Sequence, residues 1–364
     1  MTEPWPVSAD LLRSAKWAFA TRRVPRAACS HMSDTVEDAR SGDLVLGRVE
    51  SLGSHKRIQL PTGRPSQLYV GDFVVAVCGD RYAPDQFEGV ASLSPNPADL
   101  LAAGGVIGRM RSIHGQMARP TQITPLGVLA RGDGRPVNLA DYALPPVAAA
   151  LPEPVAIAVV GAAMNAGKTV AGSSLVHGLV RAGRRVAAVK ATGTAAYNDY
   201  NAYVDAGPIA VSDFTDAGMV ATYRQPIERV EDGLDLLLNH AAGAAEVVVV
   251  ELADGILQAE TAALLRSPRV RRRLAGCLLA VPDALSAAGG AAALRAIGLE
   301  PAAVTGTVSC SPLAAAEAWD ATGLRVLTRG DLMDPAQANA LLAEIAADHW
   351  RPAPLASDVA EAAA

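Results

Sequence analysis

V-A-I-A-V-V-G-A-A-M-N-A-G-K-T-V, residues 155–170, is the stretch that decides the fold. Val155–Val160 is a short apolar run with four β-branched residues, which predicts a buried strand. Gly161 ends that run, and Gly167-Lys168-Thr169 opens a helix that we expect to continue to about Arg181. A strand, a loop of small residues, Gly-Lys-Thr and a helix together form the pattern of a phosphate-binding loop, or Walker A motif.

The chemistry of such a loop is anion capture. Successive backbone N–H groups and the helix N-terminus point at phosphate oxygens. We expect Lys168 to reach the β- and γ-phosphates, and the hydroxyl of Thr169 to hold a Mg²⁺ ion. The alternative is an ordinary strand-to-helix turn with a surface lysine. The predicted nucleotide-contacting residues are Gly161, Asn165, Ala166, Gly167, Lys168, Thr169 and Val170.

Three segments of the chain resemble one group of P-loop NTPases. The first is Gly161–Thr169, which has Ala162 where the common pattern has glycine and a loop one residue longer. The others are Lys190-Ala191-Thr192-Gly193 and Val250–Gly255. All three are similar to segments of dethiobiotin synthetase and the related cobyrinate amidases. Residues 190–222 are also similar to a poorly characterised bacterial family to which a D-glutamate N-acyltransferase activity is attributed.

The resemblance covers residues 154–327, about half of the chain, and implies ATP and Mg²⁺ as cofactors. It also implies that Lys190 serves the active site. Two positions depart from the group. Ala163 replaces an aspartate that supports the metal, and Ser309-Cys310-Ser311 replaces the asparagine that contacts adenine. The choice between ATP and GTP therefore stays open.

Length and composition limit the remaining possibilities. A chain of 364 residues is long enough for two domains, and its net charge of −5 argues against general nucleic-acid binding. The four cysteines form no C-x-x-C pair, and the N-terminus lacks the features of a signal peptide. No apolar run has the length and character of a membrane span. We therefore expect a cytoplasmic protein that binds neither nucleic acid nor membrane.

The first part of the chain predicts a β-rich domain. Residues 8–22 have helical spacing, and short period-two runs between residues 43 and 77 predict strands of a small antiparallel barrel or sandwich. The polar stretch Gly79–Glu88 is either a loop that faces the active site or an exposed loop. Residues 97–118 have helical spacing around a Gly104-Gly105 break, and the Pro- and Gly-rich residues 119–153 are the candidate linker.

The rest of the chain predicts a doubly wound, mostly parallel α/β sheet, because strands alternate with helices from residue 155 to 347. Predicted strands cover 185–190, 246–251, 277–281, 304–309 and 325–328, and predicted helices cover 226–244, 256–274 with a break at Pro268, 284–297, 312–321 and 336–347. The predicted domains are therefore a β-rich domain with linker at 1–151 and a P-loop domain at 152–350. The Ala- and Pro-rich residues 351–364 are expected to be disordered.

Three further residues are candidates for chemistry. Glu251 ends a predicted strand, where its carboxylate can hold Mg²⁺ directly or through water; the alternative is a helix cap, which Asp254 fits better. Lys190 also ends a strand, where it would neutralise phosphoryl oxygens or hold a substrate carboxylate, unless it is a surface lysine. The polar segment 196–224 holds four of the seven tyrosines, and its Asp213 is the candidate general base or second metal ligand.

The leading hypothesis is an ATP-dependent ligase or synthetase that transfers the γ-phosphoryl group to a carboxylate or similar oxygen of a small molecule. A small-molecule kinase, and an N-acyltransferase that holds a coenzyme A-type ligand in the P-loop, remain alternatives. A nucleotide-dependent switch or chaperone is a third. Such switches often carry a second lysine early in the loop, and positions 162 and 163 are both alanine. A homodimer is expected.

Overall fold

A computed structural model describes residues 4–148 and 153–348, without the side chain of residue 348. The chain divides into two compact units, and each is described by itself. The first unit comprises Met1–Pro146, Gly193–Asn201 and Asp213–Gln225; the second comprises Val147–Thr192, Ala202–Ser212 and Pro226–Ala364. The division differs from the predicted domains, since two segments expected in the P-loop domain group with the first unit. The predicted boundary near residue 152 and the predicted tail at 351–364 lie outside the described residues.

The first unit is built mainly from strands. They are β1 (Trp5–Pro6), β2 (Lys16–Trp17), β3 (His31–Ser33), β4 (Leu44–Ser51), β5 (Arg57–Gln59), β6 (Pro65–Gln67), β7 (Phe73–Cys78), β8 (Phe87–Val90), β9 (Ala98–Ala102), β10 (Val106–Ile113) and β11 (Gln122–Ala130), with one short helix, α1 (Ala9–Ser14). Short 3₁₀ turns cover Phe19–Thr21, Arg26–Ala28, Val36–Asp38 and Leu139–Tyr142.

Within the described residues, nine of these strands form one sheet. Its order is β1-β3-β11-β4-β7-β10-β8, with β2 beside β7 and β9 beside β10 and β11. Most pairs are antiparallel, while β2 and β10 run parallel to β7. Alternate residues of the strands, among them Val45, Val74, Ile107 and Ile123, point into one apolar core. The core is therefore made of aliphatic side chains from residues distant in sequence.

The helix predicted over residues 8–22 is wrong beyond Ser14. Lys16–Trp17 instead pairs with β7, and the Trp17 indole N–H donates to the carbonyl of Leu12 at 2.9 Å. Trp17, Ala18 and Phe19 are all buried. An extended segment buried against a sheet can carry the same apolar residues as a helix face, so spacing alone did not separate the two.

The helix predicted over residues 97–118 is also wrong, because β9 and β10 occupy this segment as an antiparallel pair. The Gly104-Gly105 pair forms the turn between the two strands. Gly105 has a φ of +97°, and a Cβ there would lie 2.0 Å from the Cβ of Ala18. Gly105 therefore lies in a closely packed hairpin turn, whereas the sequence predicts a helix break at this position.

The predicted linker at 119–153 contains a sheet strand. β11 pairs with β3, β4 and β9, and its residues from Gly127 to Ala130 are buried. The pairing with β4 shifts register between Pro125 and Gly127. Proline and glycine are tolerated within strands at such irregularities, so here they mark a bulge in a strand and not a linker.

The second unit alternates strands and helices. Its elements are β12 (Val155–Gly161), α2 (Lys168–Arg181), β13 (Val186–Lys190), α3 (Tyr197–Asp205), β14 (Ala210–Asp213), α4 (Ile227–Ala242), β15 (Val247–Glu251), α5 (Ala259–Arg266), α6 (Pro268–Arg273), β16 (Gly276–Ala280), α7 (Ala284–Arg295), β17 (Ala303–Thr305), α8 (Pro312–Thr322), α9 (Arg329–Met333) and α10 (Pro335–Asp348), with a 3₁₀ turn at Thr307–Cys310. The first residues of α3 and the last residue of β14 belong to the first unit.

The α/β class of this unit is confirmed. In the part of the chain that the structure describes, its sheet has the order β14-β13-β15-β12-β16-β17, and the four pairings from β13 to β17 are parallel. The valine run of β15 is buried on both faces, which explains its lack of alternation. Ile157, Leu175 and Leu278 lie in a core that also contains residues of α10. The sheet brings the carboxyl ends of β12, β13 and β15 side by side.

Two predicted strands near the end of this unit are corrected. The strand expected over 304–309 ends at Thr305, because Gly306 has a φ of +93° and a 3₁₀ turn follows. The segment 325–328 makes one parallel bridge, between Val304 and Val326, and is not assigned as a strand. The helices α3 and α9 and the strand β14 were not predicted.

Candidate functional site

The phosphate-loop segment connects the end of β12 to the start of α2. Asn165 has a φ of +63° and Gly167 a φ of +98°, so the chain turns through the left-handed region twice before the helix begins. A Cβ at Gly167 would lie 3.0 Å from the Cα of Gly306. Both the backbone conformation and this close approach require glycine at position 167. The predicted strand-loop-helix arrangement is present, with α2 ending at Arg181 as expected.

Lys168 spans the loop from its first helical position. Its ammonium donates to the carbonyl of Ala163 at 2.9 Å and to the carbonyl of Asp254. Its aliphatic part lies over Gly161, where a Cβ would come within 2.9 Å of Cγ and Cδ. Oxygen acceptors therefore already surround this buried ammonium, and phosphate oxygens are acceptors of the same kind with more charge.

The carboxylate of Glu251 is the centre of a buried polar cluster at the edge of the sheet. Its Oε1 accepts from Thr169 Oγ1 at 3.2 Å and from Lys190 Nζ at 3.1 Å. Its Oε2 accepts from the hydroxyl of Tyr203 at 2.9 Å, and the side chain is 1% exposed. Lys190 and Glu251 are register partners at the ends of β13 and β15. The structure thus brings together three predicted site residues, Thr169, Lys190 and Glu251, whose roles stay predictions.

Tyr203 was missed as a site residue, because the sequence placed it in a polar segment where surface positions are common. Its ring is fully buried in the apolar core of the second unit. A Cβ at Gly172 of α2 would lie 2.2 Å from its hydroxyl oxygen. A glycine inside a regular helix is unfavourable relative to alanine, so Gly172 was the available signal that another group needs this space.

The segment after Glu251 supports the loop through its backbone. The carbonyl of Ala253 accepts from Thr192 and, at 2.5 Å, from Thr261. A Cβ at Gly255 would lie 2.8 Å from the carbonyl oxygen of Ala162.

The predicted helix-cap role of Asp254 is wrong. Helix α5 begins at Ala259 and its N-cap is Gln258, whose Oε1 accepts from the N–H of Thr261 at 2.9 Å.

Asp213 lies in the first unit within an ion-pair cluster. Its Oδ1 accepts from Arg22 at 2.7 Å and from the Thr215 N–H at 2.7 Å, and Arg22 also donates to Asp216 at 2.8 Å. Burial lowers the pKa of Arg22, but Asp213 and Asp216 more than offset this, so its pKa is raised. Burial raises the pKa of Asp216, while Arg22 opposes that rise. Asp213 therefore has charged and uncharged partners of its own; its role as a general base or second metal ligand stays a prediction.

The polar stretch Gly79–Glu88 contributes to a cavity of about 420 Å³ in the first unit. The wall of the cavity also contains Tyr223, whose hydroxyl donates to Glu88 at 3.3 Å. The stretch is therefore partly enclosed. This enclosure does not decide between a loop that faces the active site and an exposed loop. That it faces the active site stays a prediction.

The oxygens of Thr169 and Glu251 suit a small hard cation. A hydroxyl and a carboxylate 3.2 Å apart are donors that Mg²⁺ accepts, and a bound phosphate would supply further oxygens. Among residues 4–148 and 153–348, no three or more His, Cys, Asp or Glu side chains form a group that could hold a metal by themselves. A metal at this site would therefore depend on the ligand as well as on the protein.

None of the helices in the described ranges combines the length and the apolar character needed to cross a membrane.

No protein-family model matches the chain, and no curated protein does. The chain is similar to several solved structures at low identity. One is the signal recognition particle 54 kDa protein of Aeropyrum pernix K1 in complex with GDP, with 19% identity, a TM-score of 0.34 and coverage of 54% of this chain and 50% of that chain. The match thus spans about half the length of that protein.

Two further solved structures are similar at the same level. The kinase domain of the Escherichia coli tyrosine kinase ETK matches with 18% identity, a TM-score of 0.32 and coverage of 43% of this chain and 68% of that chain. The signal recognition particle receptor FtsY of Elizabethkingia anophelis in complex with GDP matches with 16% identity, a TM-score of 0.34 and coverage of 56% and 67%.

Proposed function

We propose that this chain is a nucleotide-dependent enzyme, with ATP as the nucleotide, that transfers a γ-phosphoryl group to a carboxylate or similar oxygen of a small molecule. The observation that carries the proposal is the cluster of Lys168, Thr169, Lys190 and Glu251 at one edge of the second unit's sheet. A phosphate loop needs the first two for nucleotide binding. A second buried lysine beside them suits the charge that develops in phosphoryl transfer or on a bound carboxylate.

Each residue has a distinct role in this proposal. Lys168 binds the β- and γ-phosphate oxygens when it leaves the carbonyls that now hold it. Thr169 and Glu251 hold Mg²⁺, which when bound neutralises charge on the phosphates. The ammonium of Lys190, which donates to Glu251 Oε1 at 3.1 Å, binds the acceptor oxygen of the substrate.

The phosphoryl-transfer step needs only ATP and the substrate carboxylate as reactants. A substrate carboxylate oxygen attacks the γ-phosphorus, the bond from that phosphorus to the β,γ-bridging oxygen breaks, and ADP leaves with the electron pair. The product is an acyl phosphate. In a ligase, a nucleophile such as an amine then forms a bond to the acyl carbon, phosphate leaves, and the amine loses a proton.

One set of measurements distinguishes the candidate functions. The purified protein is incubated with ATP, Mg²⁺ and panels of carboxylic acids and amino acids, and ADP, phosphate and hydroxylamine-trapped acyl groups are measured. A ligase gives substrate-dependent ADP and phosphate, with hydroxamate when hydroxylamine is present. A kinase gives ADP and a phosphorylated product. An acyltransferase releases free thiol from acyl-coenzyme A without ATP, and a switch hydrolyses nucleotide independently of any small molecule.

The P-loop part of the proposal is tested by Lys168→Ala. Loss of its charge-assisted hydrogen bonds should weaken nucleotide binding by about 1.5–3 kcal/mol and reduce turnover further, while the unfolding transition persists. Lys56→Ala is the matched control, because Lys56 is an exposed lysine of the first unit. Wild-type nucleotide affinity and turnover in Lys168→Ala would refute the assignment of the phosphate loop.

The expected homodimer is part of the same proposal. Four exposed aliphatic side chains follow the carboxyl ends of the adjacent strands β15, β12, β16 and β17; they are Leu257, Val170, Leu285 and Leu313. A second copy of the chain would cover them. Light scattering should show a dimer for the wild type and a monomer for Leu285→Glu/Leu313→Glu. A wild-type monomer at micromolar concentration with nucleotide present would argue against it.

A further inference from the structure

We infer that Tyr203 is a positioning residue that fixes the carboxylate of Glu251 toward Thr169 and Lys190. The inference rests on the proposed function, because it takes Glu251 to serve the metal. All four residues lie in the second unit. Tyr203 acts through Glu251, because its hydroxyl donates to Glu251 Oε2 at 2.9 Å.

The two carboxylate oxygens of Glu251 are held by different groups. Oε2 accepts from the hydroxyl of Tyr203, whereas Oε1 accepts from Thr169 and Lys190. A donor on Oε2 prevents the carboxylate from rotating and directs Oε1 to the side where Thr169 lies. A phenol is a neutral donor, so it adds no second positive charge beside the carboxylate. Outer partners of metal-binding carboxylates act in this way in general.

Gly172 shows that the fold makes room for this hydroxyl. A Cβ at this position would lie 2.2 Å from the Tyr203 oxygen, 3.1 Å from Cζ and 3.2 Å from Cε1. The closest conflict is thus with the oxygen and not with the ring. Gly172 follows Thr169 by three residues on α2 and therefore lies on the same side of that helix. The helix that presents Thr169 also shapes the space for the hydroxyl that orients Glu251.

The competing interpretation is that Tyr203 only fills the core. Tyr203→Phe separates the two, because it keeps the ring and removes the hydroxyl. The readout is binding of Mn²⁺, as a spectroscopic substitute for Mg²⁺, to the ADP-loaded protein, followed by electron paramagnetic resonance. We expect the metal dissociation constant to rise about tenfold. The affinity for ADP without metal should stay within about twofold, since no phosphate contact is lost.

Mn²⁺ binding to Glu251→Gln is measured in parallel. This variant separates a failure of the Tyr203 inference from a failure of the proposed metal role of Glu251. If Glu251→Gln leaves Mn²⁺ binding unchanged, the metal role of Glu251 fails. If Glu251→Gln weakens Mn²⁺ binding and Tyr203→Phe does not, the positioning role of Tyr203 is refuted. Tyr69→Phe, at an exposed tyrosine of the first unit, is the control for the loss of a phenol.

A second variant tests the same geometry from the opposite side. Gly172→Ala should weaken Mn²⁺ binding, because its methyl group displaces the Tyr203 hydroxyl. In the Tyr203→Phe background the same change should add little, since the oxygen is gone. Gly289→Ala is the matched control, because a Cβ at that helical glycine meets nothing within 4 Å. Full additivity of Gly172→Ala and Tyr203→Phe would overturn the role assigned to the hydroxyl.

Discussion

Two buried carboxylates, one in each unit, show how differently the same group can be used. Asp213 in the first unit and Glu251 in the second are 2% and 1% exposed, and each pairs with a cation whose side chain is only 12% or 10% exposed. Asp213 pairs with Arg22, whose guanidinium also binds Asp216 and lies 4.4 Å from the ring centroid of Phe19. Glu251 pairs with the ammonium of Lys190 and with two hydroxyl groups.

The difference indicates which of the two carboxylates can exchange its protein partners for a ligand. A guanidinium is always charged, planar and suited to two-point binding, and Arg22 is held on several sides, so its pair is a structural unit. The ammonium of Lys190 is a compact charge that a metal ion can replace beside Glu251, and the hydroxyl of Thr169 can reorient. We therefore expect Asp213 to contribute to stability and Glu251 to contribute to ligand binding.

The largest expected effect would come from removing the cation of the structural pair. Arg22→Met leaves Asp213 and Asp216 buried beside an apolar side chain, and the free energy of unfolding should fall by about 3–5 kcal/mol at neutral pH. Urea denaturation monitored by tryptophan fluorescence measures it. Arg13→Met is the control, because its pair with Asp10 is exposed and should contribute less than about 1 kcal/mol. A loss for Arg22→Met as small as that of the control would remove the contrast between the two carboxylates.

The same variant has a predicted pH dependence. Burial raises the pKa of Asp216 and Arg22 opposes that rise, so loss of Arg22 raises this pKa further. An acid with a raised folded-state pKa favours folding when it is protonated. The deficit of Arg22→Met should therefore be smallest at acid pH and grow as the pH rises through the folded-state pKa. Unfolding at about pH 4.5 and about pH 7.5 gives the comparison; a deficit that is larger at acid pH would contradict it.

The next effect compares the two carboxylates directly. Glu251→Gln should raise the Mg²⁺ concentration needed for turnover about tenfold and lower the maximal rate, yet leave nucleotide binding without metal nearly intact. Asp213→Asn should reduce stability and leave the Mg²⁺ curve unchanged. Magnesium titrations of turnover for both variants and the wild type test this. A shifted curve for Asp213→Asn would return Asp213 to the site as a metal ligand.

A smaller effect is expected at Lys190. Its ammonium shares Glu251 Oε1 with Thr169, so it competes with a cation for that oxygen. Lys190→Met should tighten Mn²⁺ binding to the ADP-loaded protein by about fivefold, or about 1 kcal/mol, while turnover falls. Calorimetry gives the first quantity and the ADP assay the second. Weaker metal binding in this variant would show that Lys190 supports the metal and does not compete with it.

The smallest expected effects lie in the segment that follows Glu251. Gln258→Ala removes the N-cap of α5 and should cost about 1 kcal/mol of stability. Asp254→Asn keeps the backbone carbonyl that Lys168 uses, so it should change stability by less than about 0.5 kcal/mol and leave the Mg²⁺ curve unchanged. Thermal and urea unfolding of both variants measure this. A larger loss of unfolding free energy for Asp254→Asn than for Gln258→Ala would show that the Asp254 side chain, and not only its backbone carbonyl, contributes to the structure.

The central strands and the phosphate-loop helix of the second unit were predictable because their signals are local. The valine run Val247–Val250 predicts a buried strand, and Gly-Lys-Thr predicts the start of α2. In a parallel sheet the carboxyl ends of strands share one edge, so Lys190, Glu251 and Thr169 could be placed together from the sequence. The assignment of these residues to one cluster needed no knowledge of the packing.

The first unit was predicted poorly because its pairings are distant in sequence. Pro125 and Gly127 were consistent with a linker, and their place at an irregularity of β11 depends on the strand opposite. Arg22 and Asp213 are 191 residues apart, and no spacing rule links them. In the second unit, Tyr203 was missed because it lies in a polar segment, and the space for its hydroxyl depends on Gly172 of another helix.

The assignment of 193–201 and 213–225 to the first unit has a consequence for synthesis on the ribosome. Protein synthesis proceeds from the N-terminus, so Arg22 is made long before Asp213 and Asp216 emerge. Until then, Arg22 has neither Asp213 nor Asp216 to pair with. The Arg22 ion-pair cluster therefore cannot form until translation has passed residue 216, and a gene split near codon 151 would separate Arg22 from both of its acidic partners.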